Sequence, residues 1–138
     1  KVIAEQKGVQ LFFHRPSPKL PGVVLDATKF RLAVANIIDN ALQYTPANGR
    51  VDIEFSLNGN EILVSVKDTG IGIASRQLPR VFTKFFRADN AVRMQTAGSG
   101  LGLFIAKNII EKHGGKIWIE SQEGKGTTVY FTIPVTTP

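Results

Sequence analysis

The chain has 138 residues, of which 43% are hydrophobic and 20% charged, values that are ordinary for a globular protein with one core. It contains no cysteine, which excludes disulfide bonds and thiolate metal sites. The net charge of +6 would suit a polyanion, but the basic residues are scattered, so we interpret them as a solvated surface and expect no nucleic-acid partner.

The chain starts at Lys1 rather than Met, and it shows neither a signal-peptide pattern nor an apolar stretch long enough to span a membrane. We therefore expect residues 1–138 to form one domain cut from a longer protein. Any membrane anchor of that protein would then lie in segments that are absent here.

The first half of the chain alternates strand and helix signals. Apolar residues recur at helical spacing after Asp26, a suitable N-cap, and Pro46 and Gly49 end the pattern. Two alternating segments flank "NGN", which predicts a hairpin. The predicted elements are a strand at 9–15, a proline-rich turn at 16–22, a strand at 23–26, a helix at 27–44, and hairpin strands at 50–57 and 61–67.

The second half predicts two more helices and a second hairpin. A short helix is expected at 75–87, with a break possible at Pro79, and a long loop follows at 88–100. The next helix, at 101–114, ends at Gly114. Strands at 116–121 and 127–134 flank the glycine turn "QEGKG". Paired strands between helices favour an α+β fold with helices on one face of a mixed sheet.

Asn36 and Asn40 are four residues apart on the first predicted helix and therefore share a face. Two amides beside an apolar stripe commonly bond to a nearby loop. They can also offer neutral oxygens to a hard cation such as Mg²⁺, which accepts phosphate oxygens as well. The pair alone does not decide between these uses.

The stretch "DTGIGI" follows the second hairpin strand. Asp68 could cap the turn that follows, or its carboxylate could accept a hydrogen bond from the exocyclic amine of a base. Gly70 and Gly72 could provide a positive φ or let another backbone approach closely.

Two further motifs follow in the chain. Phe82, Phe85 and Phe86 form an aromatic cluster, which usually belongs to a core. In "GSGLGL", three glycines alternate at the start of a helix, where free N–H groups suit phosphate. A flexible hinge before the helix would explain the same glycines.

The order and spacing of these four motifs resemble the N, G1, F and G2 boxes of the ATP-binding catalytic domain of bacterial sensor histidine kinases, a GHKL family with the Bergerat fold. The closing "GGKIWIESQEGKGTTVYFTIP" extends the resemblance over almost the whole chain, from about Val9 to Pro134. The resemblance implies a two-layer α/β sandwich in which a mixed, mostly antiparallel sheet packs on about three helices. ATP would lie between the helices and a flexible lid at 88–98.

At the phosphate end of ATP, the resemblance implies that Asn40 is the Mg²⁺ ligand and that Asn36 helps to hold the phosphates. Together with Arg87 these residues would form the catalytic group. Arg93 and Lys84 would add positive charge beside the phosphates. The residues expected to receive the phosphates are Gly98, Ser99, Gly100, Leu101, Gly102 and Leu103.

At the base end, the resemblance implies that Tyr44 lies beside adenine and that Asp68 bonds its amino group. Gly70, Gly72 and Ile73 would shape the base pocket, and Thr127 would support its Asp68 side.

One position departs from the family pattern, because Gln43 stands where a Lys or Arg usually precedes the aromatic residue. Its amide brings no charge, so phosphate binding could be weaker, or Lys84, Arg87 or Arg93 could compensate.

The choice between phosphoryl transfer and hydrolysis rests on Asn36. Related ATPases such as gyrase, Hsp90 and MutL carry a general-base Glu one turn before the metal-binding Asn, and an amide cannot take a proton. Asp39 is acidic but is rotated off the Asn36/Asn40 face. Transfer to an acceptor on another domain is therefore favoured.

The acceptor is not expected within the chain. Its two histidines differ from the family's phosphoacceptor, since His14 precedes Arg15 and Pro16 and His113 ends a helix, where it would act as a capping cation. The expected partners are a helical dimerisation and phosphoacceptor domain of the same kinase and a downstream response regulator. The expected location is the cytoplasmic side of an inner-membrane sensor. The alternatives are an anti-sigma-factor serine kinase and a catalytically weak nucleotide-binding regulatory module.

Overall fold

The computed structural model describes residues 8–14, 27–83 and 102–135. Within these ranges the chain forms five strands, two α-helices and one 3₁₀ helix. Their bounds are β1 Gln10–His14, α1 Ala27–Gln43, β2 Arg50–Asn58, β3 Glu61–Asp68, the 3₁₀ helix Ser75–Arg80, α2 Gly102–Lys112, β4 Ile117–Gln122 and β5 Gly126–Pro134. The predicted strand at 23–26, the turn at 16–22, the cap Asp26 and the loop at 88–100 lie outside the described residues.

The strands form a single sheet in the order β1-β2-β3-β5-β4. β1 runs parallel to β2, whereas the other neighbouring pairs are antiparallel. The predicted mixed, mostly antiparallel sheet of an α+β fold is therefore confirmed. β3 is the middle strand, so its end lies between elements from both halves of the chain.

The core lies between one face of this sheet and the two helices. Alternate residues of the strands point to opposite faces, and Ile62, Val64 and Val66 of β3 are buried accordingly. On α1, Ala33, Ile37 and Ala41 recur at helical spacing and are buried in the same cluster. This packing fixes the face of α1 that carries the two asparagines.

The short helix predicted at 75–87 is a 3₁₀ helix that ends at Arg80, so its predicted length is wrong. Pro79 has no N–H and cannot extend an α-helical hydrogen-bond ladder. Val81, the next residue after the 3₁₀ helix, is buried in a small cluster with Tyr44 and Ile73. Phe82 packs beside this cluster and beside the main core. Phe85 and Phe86 lie outside the described residues.

The end of α2 agrees with its predicted cap. His113 Nδ1 lies 2.8 Å from the carbonyl oxygen of Ile109, and the Gly114 N–H donates to the carbonyl of Glu111. The imidazole is therefore engaged with the last turn of its own helix.

Candidate functional site

Asn36 and Asn40 are half-buried on α1, beside the stripe that packs against the sheet. Asn36 Nδ2 is buried and has no hydrogen-bond partner among the described residues. An unpaired buried donor costs about 1–3 kcal/mol. The side chain is therefore placed to donate to an acceptor that is not among the described residues.

The first residue of α2 lies against this asparagine. A Cβ built on Gly102 would lie 3.6 Å from the Cβ of Asn36 and 3.8 Å from its Cγ. The first N–H groups of a helix have no partner within the helix and carry partial positive charge. The buried amide of Asn36 and the start of α2 thus occupy one location. Leu103 is buried and anchors this first turn in the core.

Asp68, the last residue of β3, is 3% exposed. Its Oδ1 accepts hydrogen bonds from the backbone N–H of Gly70, at 2.9 Å, and from that of Thr127, at 3.1 Å. Burial raises the pKa of this carboxyl to about 6, although the two backbone hydrogen bonds lower it. Asp68 therefore caps the turn that follows it, and both of these bonds use the same carboxylate oxygen.

The "DTGIGI" segment passes between the end of α1 and the β4–β5 turn. The carbonyl of Tyr44 accepts a hydrogen bond from Ile71 N–H at 3.0 Å, and a Cβ on Gly70 would overlap that carbonyl oxygen. Gly72 has a φ of 71° and lies against the carbonyl of Gln122, where a Cβ would also clash. Both glycines are therefore required by close backbone approach.

Tyr44 and Ile73 belong to the small cluster that also contains Val81. Ile73 is fully buried and Tyr44 is 4% exposed. Both support the loop after Asp68 from beneath, and Ile73 N–H donates to Ser121 Oγ at 2.8 Å.

Ser121 did not figure among the residues predicted from the sequence. Its Oγ also lies 2.7 Å from Thr127 Oγ1 and donates to the carbonyl of Gly126 at 3.1 Å. The sequence held one signal for it, because Ile117, Ile119 and Ser121 alternate towards the helices and the serine is the polar member.

The described part of the site forms one continuous arrangement along α1. Asn36, Asn40 and Tyr44 are spaced by one helical turn each, so the first and last lie about 12 Å apart along the helix axis. Gly102 lies at the Asn36 end, and Asp68 with its loop lies at the Tyr44 end. Seven other predicted site residues lie outside the described residues: Lys84, Arg87, Arg93, Gly98, Ser99, Gly100 and Leu101.

Neither histidine lies in this arrangement. His14 Nε2 contacts Asp52 Oδ1 at 2.7 Å on the sheet face opposite the helices, while His113 caps α2. Within residues 8–14, 27–83 and 102–135, no three His, Cys, Asp or Glu side chains come together as a metal site. No helix in those ranges is long and apolar enough to cross a membrane.

The family model described as "Histidine kinase-, DNA gyrase B-, and HSP90-like ATPase" matches residues 25–137. The chain belongs to this ATPase family. Within it, the catalytic domain of histidine kinase ThkA is 30% identical, with a TM-score of 0.79 over 97% of this chain and 85% of that one. The mycobacterial sensor histidine kinase MprB is 27% identical, with a TM-score of 0.84 over 96% and 88%.

Among curated relatives in the ATPase family, the sensor histidine kinase WalK of Bacillus subtilis (strain 168) is 46% identical over 114 residues. That match covers 81% of this chain and 19% of WalK, so the chain spans about a fifth of the relative's length. The predicted resemblance to sensor histidine kinase catalytic domains and the predicted sandwich fold are both confirmed.

Proposed function

We propose that the chain binds Mg-ATP and donates its γ-phosphoryl group to a histidine on a separate helical dimerisation domain of the same sensor kinase. A response regulator would then take the phosphoryl group. Two similar structures support this direction. Full-length ShkA was solved with AMPPNP, and histidine kinase ThkA was solved with the response regulator TrrA.

The observation that carries the proposal is the buried amide of Asn36 beside the start of α2, which has no hydrogen-bond partner in the described part of the chain. Its N–H can donate to a phosphate oxygen, as can the first backbone N–H groups of the helix. The same position carries no carboxylate, so Asn36 cannot remove a proton from water. The arrangement therefore favours holding the triphosphate over hydrolysing it.

The donor set also fits Mg²⁺ bound to phosphates. Asn40 is half-buried one turn from Asn36 and would present a neutral amide oxygen, a ligand type that Mg²⁺ accepts together with water and phosphate oxygens. When bound, the ion would neutralise charge on the phosphoryl group during transfer. Asn40 would orient the triphosphate, and Asn36 would hold a phosphate oxygen.

The base would lie at the other end of α1. Asp68 is ionised at neutral pH and can accept a hydrogen bond from the amino group of adenine, while Gly70 and Thr127 fix its Oδ1. Arg87, Arg93, Lys84 and the segment from Gly98 to Leu101 would complete the phosphate side. The location that we propose is the cytoplasmic side of an inner-membrane sensor.

The test combines binding with transfer. Calorimetry should show that Mg²⁺ increases the ATP affinity of the unmodified chain. The increase should be much smaller in Asn40→Ala. The matched control is Asn108→Ala, which removes an exposed amide from α2. Equal affinity with and without Mg²⁺ in all three proteins would refute the metal assignment.

Transfer is measured by adding the helical dimerisation domain in trans with ATP labelled at the γ-phosphate. We expect labelled phosphohistidine on the added domain and no label on His14 or His113. Tight ATP binding without phosphohistidine would rule out the transferase and leave a nucleotide-binding module. Label on serine would indicate a serine kinase instead.

A further inference from the structure

Three polar side chains form a row across the sheet at the end of β3. Ser121 of β4 pairs in register with Thr127 of β5, and Thr127 pairs in turn with Asp68. Residues directly opposite in neighbouring strands bring their side chains together on one face. The row therefore links the β4 edge of the sheet directly to the buried carboxylate.

The three contacts of Ser121 Oγ constrain where the two hydroxyl protons can point. A hydroxyl has one proton and two lone pairs. Ile73 N–H can only donate, so it uses one lone pair of Ser121 Oγ, and the carbonyl of Gly126 can only accept, so it takes the proton. Either hydroxyl could donate in the remaining contact, 2.7 Å from Thr127 Oγ1, but all three contacts are hydrogen bonds at once only when Thr127 provides the proton.

In this arrangement Thr127 donates its only hydroxyl proton to Ser121. Its Oγ1 keeps lone pairs but has no proton to donate towards a ligand. The carboxylate of Asp68 in the same row is also an acceptor. The end of the row beside Asp68 therefore offers acceptors to a ligand and no hydroxyl donor.

We infer that Ser121 is a specificity-determining positioning residue, which sets Thr127 as an acceptor and so favours a base with an amino group over one with a keto oxygen. The inference rests on the proposed function, in which the base lies beside Asp68. Without Ser121, Thr127 could turn its proton to a keto oxygen, and the preference for adenine would weaken. A merely structural role of Ser121 would lower stability without changing this preference.

The test compares ATP with inosine triphosphate, which carries a keto oxygen in place of the amino group. Dissociation constants for both are measured on the unmodified chain, on Ser121→Ala and on Ser65→Ala. Ser65 lies between the core residues Val64 and Val66, so it faces the opposite side of the sheet and is the matched control. We expect the preference for ATP to fall about three- to tenfold in Ser121→Ala, the range of one hydrogen bond, and to stay unchanged in Ser65→Ala.

The outcomes separate the inference from the proposed function. If the unmodified chain binds neither nucleotide, the proposed function fails and the inference with it. If it binds ATP and Ser121→Ala keeps the full preference, only the inference fails. Ser121→Thr retains the hydroxyl and should keep the preference for ATP over inosine triphosphate. In a protein that already carries Thr127→Val, adding Ser121→Ala should not change this preference further.

A measurement on the unmodified chain keeps the test independent of whether a variant folds. The hydroxyl proton of Thr127 and the amide proton of Ile73 would both point to Ser121 Oγ, so NMR should show a slowly exchanging hydroxyl proton with a cross-peak to that amide. A Thr127 hydroxyl without this cross-peak, or one in fast exchange, would overturn the inference.

Discussion

The carboxylate of Asp68 and the backbone N–H of Thr127 meet at 3.1 Å across the β3–β5 pairing, between residues 59 positions apart in the chain. This contact and the N–H of Gly70 hold a buried acid whose pKa burial has raised to about 6, compared with an ordinary value of 3.8. The folded state therefore holds the proton more tightly than the unfolded state does. The resulting stabilisation is complete below pH 3.8 and is lost as the pH rises through 6.

Asp68→Asn should therefore stabilise the nucleotide-free protein at alkaline pH. The amide oxygen can still accept both backbone hydrogen bonds but never ionises. We expect a gain of up to about 3 kcal/mol near pH 8 and almost none near pH 4, measured by urea unfolding at both values. The same substitution should weaken ATP binding, and retained affinity would reduce Asp68 to an ordinary turn cap.

Asp52→Asn is a control for which we expect the opposite change in stability near pH 8. The hydrogen bond from Arg50 holds the pKa of Asp52 at about 2, despite some desolvation, and His14 also lowers it. Its ionised form is therefore favoured by folding, and its contribution is present above pH 3.8 and lost as the pH falls through 2. Asp52→Asn should lower stability only slightly near pH 8, because its partners Arg50 and His14 are exposed and solvent screens the pairing. A gain there would contradict this account.

ATP affinity should fall as the pH drops through 6. Protonated Asp68 loses acceptor capacity for the amino group of adenine, so binding should favour the ionised carboxyl and release a proton near that pH. Calorimetry in buffers of different ionisation enthalpy measures this release. Because ATP itself titrates in this range, the affinity is expressed relative to Asp68→Asn at each pH. A ratio that does not vary with pH would contradict the role of Asp68 in base binding.

Asn36→Leu should raise the stability of the nucleotide-free protein while it lowers ATP affinity. Removing a buried donor that has no partner among the described residues recovers about 1–3 kcal/mol, because no polar group remains desolvated. Chemical unfolding and ATP titration on the same samples measure both effects. Asn108→Leu, on the exposed side of α2, should produce neither. Lower stability together with unchanged affinity would show that Asn36 is a packing residue.

Two glycines of the site should respond differently to alanine. In Gly70→Ala the new methyl would overlap the carbonyl oxygen of Tyr44 and lie 2.8 Å from Asp68 Oδ1, so we expect a loss of about 1–3 kcal/mol. In Gly102→Ala the nearest atoms lie at ordinary contact distance within a helix, so stability should be unchanged or about 0.5–1 kcal/mol higher. Thermal unfolding measures both. Similar losses in the two variants would contradict the close approach at Gly70.

Gln43→Lys should not abolish ATP binding and should tighten it if this position lies near the phosphates. The substitution also places a cation in the last turn of α1, which has no basic residue, and should stabilise the helix by about 0.3–1 kcal/mol. Gln43→Glu should have the opposite effect on both measurements. A clear loss of affinity in Gln43→Lys would argue against placing Gln43 near the phosphates.

The elements that the sequence predicted well are those with a strong period. α1 and the β2–β3 hairpin were predicted within one residue at each end, because apolar spacing and the "NGN" turn are local signals. The 3₁₀ helix was predicted too long, because the burial of Val81 with Tyr44 and Ile73 depends on tertiary packing.

The site follows the same division between local and tertiary signals. Asp68 could be selected from its neighbours in sequence, but its bond to Thr127 depends on strand register. Ser121 was missed because a serine in a strand is usually a surface residue. Its three hydrogen-bond partners lie on other segments or across a turn, and they come together only in the folded sheet.

The position of β3 in the middle of the sheet also bears on protein synthesis. During translation the acid at its end emerges before β4, which supplies Ser121, and before β5, which supplies the Thr127 N–H and hydroxyl. A nascent chain that already includes α1 and β3 would still lack the Thr127 N–H that bonds the carboxylate. The proposed base pocket would therefore form only with the C-terminal hairpin, and a ribosome-bound chain ending before Gly126 would present Asp68 without its Thr127 partner.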